Sequence, residues 1–349
     1  MEKQQVIDLW QTCFQDDESF VSLYFSRVYK DENTIGYSEN NKLVSVLQMI
    51  PYTMTFHKTE IKLAYISGAA TSPDFRDRGL MTRLLGDAYK TMRERGIPLS
   101  VLIPAQPWLY GYYGRMGYSP VFYQKVERYT SVHNFHEMPG FHRADVSKKE
   151  IYVFFDRMMK CRPCCVQHTF EDFEVICDDL EQSGGELVAM ADDLNNIVAL
   201  AFVQVHDGEA WIIESLYSHD KIKDILMGEV TRIFPGMSLN LIIIPSVNTT
   251  DNVRFGMARV IDAEKLLGLV AAAYPYFKCT IRLSDDILLE NNGFFVISNG
   301  KCFIIDEKDI EPDYDINIET LASMLFGDNH VAELLSFPSQ RPYMSLMLN

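Results

Sequence analysis

Residues 67–96 read SGAATSPDFRDRGLMTRLLGDAYKTMRERG, and the order of residue types within them governs how the rest of the chain is read. The run through Thr71 suits a strand. A short loop follows with Pro73, Arg76, Asp77, Arg78 and Gly79, and then Leu80, Met81, Leu84, Leu85, Ala88, Tyr89 and Met92 recur at helical spacing on one face. Arg93 and Arg95 in the last turn, Gly96 as cap and Pro98 beyond mark the helix end. A helix N-terminus offers unpaired N–H groups and partial positive charge, so it binds anions. Gly79 would let a ligand approach the backbone, and Arg76 and Arg78 would add charge-assisted contacts. The loop is neither a Walker loop nor a dinucleotide fingerprint. Alone, Arg-x-x-Gly fits equally well two arginines that solvate a helix end.

Working outward, Val6, Leu9, Trp10, Cys13 and Phe14, and then Phe20, Val21, Tyr24, Phe25 and Val28, predict two short helices on either side of the acidic turn QDDES. Strands are expected at KLVSVLQMI, IKLAYISGAAT and LSVLIPA, followed by the aromatic segment QPWLYGYYGRMGYSP and a strand pair near VFYQKVERYTSV. HNFHEMPGFHRADVS reads as a linker. Beyond it, the strands ELVAMAD, NIVALAFVQVH and AWIIESLYS, the helix KIKDILMGEVTRIF and the strand LNLIIIP echo the first unit. Their strand-to-helix junction, SLYSHDKIKDI, has no Arg-x-x-Gly loop, as if a duplicated fold had lost its anion site. A third unit starts near GMARVIDAEKLL. It holds Asn299-Gly300 between two apolar runs, a hairpin signal, and two helices at NIETLASMLFG and NHVAELLSF. The tail RPYMSLMLN is apolar to its end, which predicts that it packs against the fold.

Composition narrows the function. With 349 residues, two or three domains are expected, and 47% hydrophobic with 23% charged residues is an ordinary globular balance. A net charge of -16 argues against nucleic acid or an anionic membrane as partner, and is compatible with a cationic substrate. The start MEKQQVIDLWQTCF lacks the flanks of a signal peptide, and seven cysteines suit reduced thiols, so a cytoplasmic location is expected.

The sequence strand, Pro73, Arg76-Asp77-Arg78-Gly79-Leu80-Met81, helix, buried strand resembles motif A of the GNAT acyl-CoA N-acetyltransferases. That resemblance implies that Arg76, Asp77, Arg78, Gly79, Leu80 and Met81 hold the coenzyme A pyrophosphate. It also implies that Ala69, Ala70 and Thr71 hydrogen-bond the pantetheine arm and the thioester. Within the superfamily, LWQTCFQDDESF, YISGAATSPDFRDRGLMTRLL and YYGRMGY look like the Eis-like (enhanced intracellular survival) branch. The fold class so implied is α/β (α+β): tandem GNAT folds with mixed sheets flanked by helices, plus a small α+β sterol-carrier-like domain. Residues 1–135 would be the catalytic GNAT domain, 136–252 a degenerate second one, and 253–349 the sterol-carrier-like domain that delivers the C-terminus.

In that branch the tyrosine before Gly-Arg-x-Gly-Tyr, here Tyr113, is the general acid, and the C-terminal carboxylate, here that of Asn349, is the base. The aspartate two residues after Cys-Phe, here Asp16, faces the amine pocket. The chemistry is consistent, since a tyrosine titrates near ~10 and an α-carboxyl near ~3.5. On the residues alone, Tyr113 reads as a packed aromatic among Trp108, Tyr110, Tyr112 and Tyr118, and only the resemblance makes it an acid. The expected activity is acetyl-CoA-dependent N-acetylation of a small-molecule or peptide amine. The alternative is a non-catalytic acyl-CoA-binding scaffold or sensor. CRPCCVQH has no second ligand pair of matching spacing, so Cys161, Cys164 and Cys165 read as helix-borne thiols and no metal is expected. A homo-oligomer is compatible with this reading.

Overall fold

Two antiparallel meanders, each closed by a helical crossover to a parallel strand, organise most of the chain. The computed structural model describes residues 2–136, 138–245, 252–306, 311–327 and 337–348. Helices α1 (Lys3–Cys13) and α2 (Glu18–Arg27) precede β1 (Thr34–Glu39), β2 (Lys42–Phe56) and β3 (Thr59–Thr71), which pair antiparallel in order. Helix α3 (Leu80–Glu94) then crosses to β4 (Leu99–Leu102), parallel to β3. It ends as expected: Gly96 takes φ 67°, and the amide of Ile97 donates to Met92 O at 2.9 Å.

Next come α4 (Leu109–Arg115), β5 (Ser119–Tyr129), β6 (Phe141–Arg143), α5 (Lys148–Lys160), the two-residue β7 (Val166–Gln167) and α6 (Phe170–Gln182). The second meander is β8 (Glu186–Asp192), β9 (Ile197–His206) and β10 (Glu209–Tyr217). Helix α7 (Lys221–Ile233) leads from it to β11 (Leu239–Ile243), parallel to β10. After β12 (Val253–Val260) and α8 (Ala263–Ala273), a four-stranded sheet forms from β13 (Cys279–Ser284), β14 (Gly293–Ser298), β15 (Lys301–Ile305) and β16 (Tyr314–Asn317), with α9 (Ile318–Phe326) behind it. Its hairpin turns at Asn299 and Gly300, both at positive φ, as two-residue turns of this type require.

The two meanders share one twelve-stranded sheet, in the order β1-β2-β3-β4-β12-β5-β11-β10-β9-β8-β6, with β7 paired to β2. The order β1-β2-β3-α3-β4 is repeated as β8-β9-β10-α7-β11, with the same pairing senses. The closing strands are exchanged. β5 follows the first repeat in sequence but pairs antiparallel with β11, whereas β12 follows the second and pairs antiparallel with β4. The two exchanged strands also pair with each other. β12, at the head of the region expected to form the third unit, is therefore hydrogen-bonded into the sheet beside β4.

Several expectations are corrected here. The strand pair near VFYQKVERYTSV is one long strand, β5, because its 11 residues serve β12 at one end and β11 at the other. The linker contains β6, an edge strand on β8. Of the CRPCCVQH thiols only Cys161 adjoins a helix, at the C-cap of α5. Cys164 and Cys165 lie in the buried turn that leads to β7. The helix expected at NHVAELLSF lies, apart from Phe337, outside the described residues. Among the described residues no helix is long and apolar enough to cross a membrane.

β12 carries a fully buried arginine, Arg259, whose Nη2 donates to both oxygens of Asp285 at 2.8 Å and whose guanidinium lies 4.4 Å from the Tyr89 ring centroid. Asp285 also accepts the amides of Ile287 and Leu288 and the Asn291 side chain. Gly117 is where the guanidinium passes the backbone: its φ is 84°, and a Cβ there would sit 1.6 Å from Arg259 Nη1. Burial alone would raise the Asp285 carboxyl, but Arg259 and Asn291 more than offset it and hold it below its ordinary value. Such a carboxyl contributes stability above its unfolded pKa, near ~3.9, and loses it as pH falls through the lower folded value. Asp285→Asn leaves Arg259 buried without its counter-charge. It is expected to cost about 3–5 kcal/mol in urea unfolding at pH 7, and to lose less stability than the parent protein on acidification below about pH 4.

Candidate active site

The bulge in β3 is the first element of the site. Val46 faces Ala70 and Gln48 faces Ser67, so Gly68 and Ala69 stand opposite Leu47 alone. Gly68 takes φ 57°, and a Cβ on it would lie 2.3 Å from Trp10 Cζ3. The indole of Trp10 therefore rests on bare backbone. It is wedged by Tyr24 and Phe25, and its Nε1 donates to Asp16 Oδ2 at 2.8 Å. Beneath it the Tyr24 hydroxyl lies 2.9 Å from both Gln48 Oε1 and Ser67 Oγ, a polar core within an otherwise apolar layer. Trp10, Asp16, Ser67, Ala69, Leu109 and Tyr113 line one pocket of about 320 Å³.

Tyr113 reaches that pocket because α4 is gripped at both ends by β12. At one end the Tyr110 hydroxyl donates to Phe255 O at 3.1 Å, a carbonyl at the β12 bulge. At the other, Arg259 Nη1 donates to Met116 O at 2.9 Å, where cationic charge suits a helix C-terminus. The neighbouring tyrosines are engaged elsewhere: Tyr112 with Thr82 Oγ1 at 3.2 Å and Tyr118 with Ser100 Oγ at 2.6 Å. Among the described residues, the Tyr113 hydroxyl has no hydrogen-bond partner. Burial first, and then Tyr118 and Tyr112, push this phenol above its ordinary pKa. It keeps its proton at neutral pH and can donate it.

The loop before α3 lies beside the far end of β3. Asp77 and Gly79 take φ 60° and 69°, Gly79 is the N-cap, and nothing lies within 4 Å of a Cβ placed on it. Among the described residues, the backbone N–H groups of Asp77 to Thr82 have no acceptor, and the first turn of α3 carries no acidic side chain. Arg76 Nε donates to Thr71 O at 3.2 Å, while Arg78 donates to Asp74 O at 3.0 Å and stacks 4.7 Å from the Phe75 ring centroid. Both arginines are exposed and anchored at the mouth of an open helix end. Ala70 is buried in β3, and Leu80 and Met81 are half-buried, with Met81 turned toward the core under α3. The corresponding helix α7 has Asp220 as N-cap in helical geometry and Asp224 in its first turn, two carboxylates where α3 has none.

The structure thus brings Asp16, Ala69 and Tyr113 to one pocket. The Arg76–Met81 loop stands at the end of the same strand. Asn349 lies outside the described residues; Leu348 before it is buried. Among the described residues no group of three or more His, Cys, Asp or Glu side chains could hold a metal ion. The parts not foreseen are Trp10 and the Tyr24–Gln48–Ser67 cluster. Gln48 inside an apolar run and Ser-Gly inside β3 were the available signals. Gly68→Ala would force a side chain into left-handed backbone and into the Trp10 ring. A loss of about 2 kcal/mol or more is expected in urea unfolding, with a change in Trp10 fluorescence.

Known proteins share this fold. Residues 1–121 match the family model of the acetyltransferase (GNAT) domain, and residues 268–338 match that of the sterol carrier protein domain. No relative of curated function matches the sequence. Among solved structures, a probable N-acyltransferase from Enterococcus faecalis V583 superposes with a TM-score of 0.78 at 16% identity, covering 99% of this chain and 96% of that one. A GCN5-related N-acetyltransferase from Anabaena variabilis ATCC 29413 gives 0.77 at 15% identity, covering 98% and 96%. Eis1 from Mycobacterium abscessus gives 0.73 at 13% identity, covering 98% and 92%. At such identities the likeness is one of fold. Residues 1–121 thus carry an acetyltransferase (GNAT) domain and residues 268–338 a sterol carrier protein domain, within a fold shared with these solved structures.

Proposed function

We propose that the chain transfers an acetyl group from acetyl-CoA directly to a primary amine. The observation that carries this reading is the unpartnered Tyr113 hydroxyl in one pocket with Asp16, beside a strand that ends at an open helix N-terminus. In this reading the free amides of Asp77 to Thr82, with Arg76 and Arg78, hold the pyrophosphate, as helix N-termini hold phosphates generally. The bulged edge at Ala69, Ala70 and Thr71 lies alongside the pantetheine arm. The bound thioester supplies an electrophilic carbonyl. Asp16, held by Trp10, holds the amine as an ammonium ion before attack. Tyr113, kept protonated by burial, gives its proton to the departing thiolate. The α-carboxylate of Asn349 takes the proton the amine must lose.

The test is a thiol-release assay with acetyl-CoA and a panel of polyamines, aminoglycosides and lysine peptides. Tyr113→Phe should keep acetyl-CoA binding by calorimetry and lower turnover by ~10²-fold or more, the share of a positioned proton donor. If Tyr110→Phe or Tyr112→Phe gives the larger loss, Tyr113 is not the acid. Adding a short peptide after Asn349 moves the carboxylate, whose proton transfer needs contact within ~3 Å or one bridging water. Turnover should be abolished while acetyl-CoA still binds; full activity in that variant would assign the base elsewhere.

A further inference from the structure

The segment leading to Asn349 is held by a buried charged cluster in the second repeat. Glu214 on β10 is 1% exposed and accepts four bonds from side chains: Arg162 Nη1 and Nη2 at 2.9 Å each, the Tyr343 hydroxyl at 2.8 Å and the Ser345 hydroxyl at 2.6 Å. The Arg162 guanidinium also lies 4.1 Å from the Tyr343 ring centroid. Backbone bonds tie the same residue to the turn before β7: Tyr343 N donates to Cys164 O at 2.7 Å, and Val166 N to Tyr343 O at 3.0 Å. His168 Nε2 lies 3.0 Å from Ser345 O and, facing a carbonyl, acts as donor. One residue on, Leu346 is held at φ 57°, a conformation that a branched side chain keeps only where its surroundings impose it.

An apolar tail packed by burial alone could slip by a residue at little cost. A buried carboxylate whose lone pairs are committed permits one register, because any slip strands charge in the core. The position of Glu214 is telling. Ala64 in β3 packs under α3 and Ala210 in β10 packs under α7. From there Ser67 and Glu214 each stand three positions along the neighbouring strand, from Pro51 to Gln48 in β2 and from Val205 to Phe202 in β9, because β10 carries a bulge between Ile212 and Glu214. Ser67 lines the pocket of the first repeat. Glu214 stands at the same place in the second, where the tail has become the occupant.

We propose that Glu214, oriented by Arg162, is a positioning residue that sets the register of Tyr343–Leu348 and so places the chain end at the active site of the first repeat. This rests on the reading of the Asn349 carboxylate as base. The second repeat then serves catalysis as the tail's receptor.

The test uses Tyr343→Phe combined with Ser345→Val, which removes both tail hydroxyls and leaves the Arg162–Glu214 pair intact, so the fold is spared. Hydrogen exchange of the amides from 343 to 348 needs no amine substrate and should speed up roughly tenfold or more. With the fastest amine of the panel, kcat should fall roughly tenfold to a hundredfold while KM for acetyl-CoA stays within about twofold. Ser345→Thr keeps the hydroxyl in the shape of Val, and should recover more of kcat than Ser345→Val in the Tyr343→Phe background. Unchanged exchange, or faster exchange with unchanged kcat, overturns the proposal. An inactive C-terminally extended chain beside an unaffected double variant would leave the base reading standing and remove the positioning role. A fully active extended chain would remove both.

Discussion

β12 takes its hydrogen bonds from β4 on one side and β5 on the other, and this arrangement determines how the site is built. In its absence β4 and β5 would share no partner, and α4, which lies between them in sequence, would lose the hydrogen bonds at both its ends. The bulge in β12 frees the Phe255 carbonyl for Tyr110, and Arg259 four residues later reaches the other end of the same helix. Tyr113 sits between these two grips. Gly256 on the same strand leaves room for Met344, so the tail also packs against it. One strand thus places Tyr113 and supports the tail.

Two buried ion pairs, Arg259–Asp285 and Arg162–Glu214, do this work in a molecule whose surface is otherwise acidic. Neither is a cheap way to gain stability, since an apolar substitute would often serve as well. Both stand where position matters more than strength. The first joins β12 to the loop before β14, and the second joins β10 to the turn before β7, with the tail hydroxyls bonded to the same carboxylate. In Glu214 burial opposes ionisation, yet Arg162 and the two hydroxyls keep the carboxyl below its ordinary value, so the charge remains in place.

The loop before α3, the α3 helix, the N-terminal helices and the meander strands other than β1 were legible because local rules govern them. Gly79 and Gly96 do what their positions demand, and the α3 stripe packs as its spacing implied. The strand exchange was not legible. Pairing of β5 with β11 and of β12 with β4 is decided by partners more than 100 residues away, and no periodicity within either strand names its neighbour. Helices α5 and α6 were passed over although Ser147 with Glu150 and Thr169 with Asp172 form capping boxes. In the site, Arg-x-x-Gly and the tyrosine segment could be seen in the sequence. Trp10 on Gly68 could not, because a tryptophan at helical spacing looks the same whether it fills a core or orients a carboxylate. The order of the two repeats was visible, whereas the contact of the second with the tail rests on Glu214, a buried charge amid the apolar residues of β10.

The exchange of closing strands also sets an order of assembly. When residue 129 has left the ribosome, the first repeat has every element of its meander but not the strand that covers the edge of β4. That strand ends at residue 260. Until then β4 and β5 each present an unpaired edge, and their partners arrive only after the second repeat has been synthesised. Such a chain has high contact order for its N-terminal half, and its vulnerable interval lasts about as long as translation of some 130 residues, roughly 7–26 s at ordinary rates. Open edges of this kind invite pairing with other chains. Synthesis of this protein is thus coupled to its folding across the repeats, and the natural clients of holdase chaperones include nascent chains of this kind.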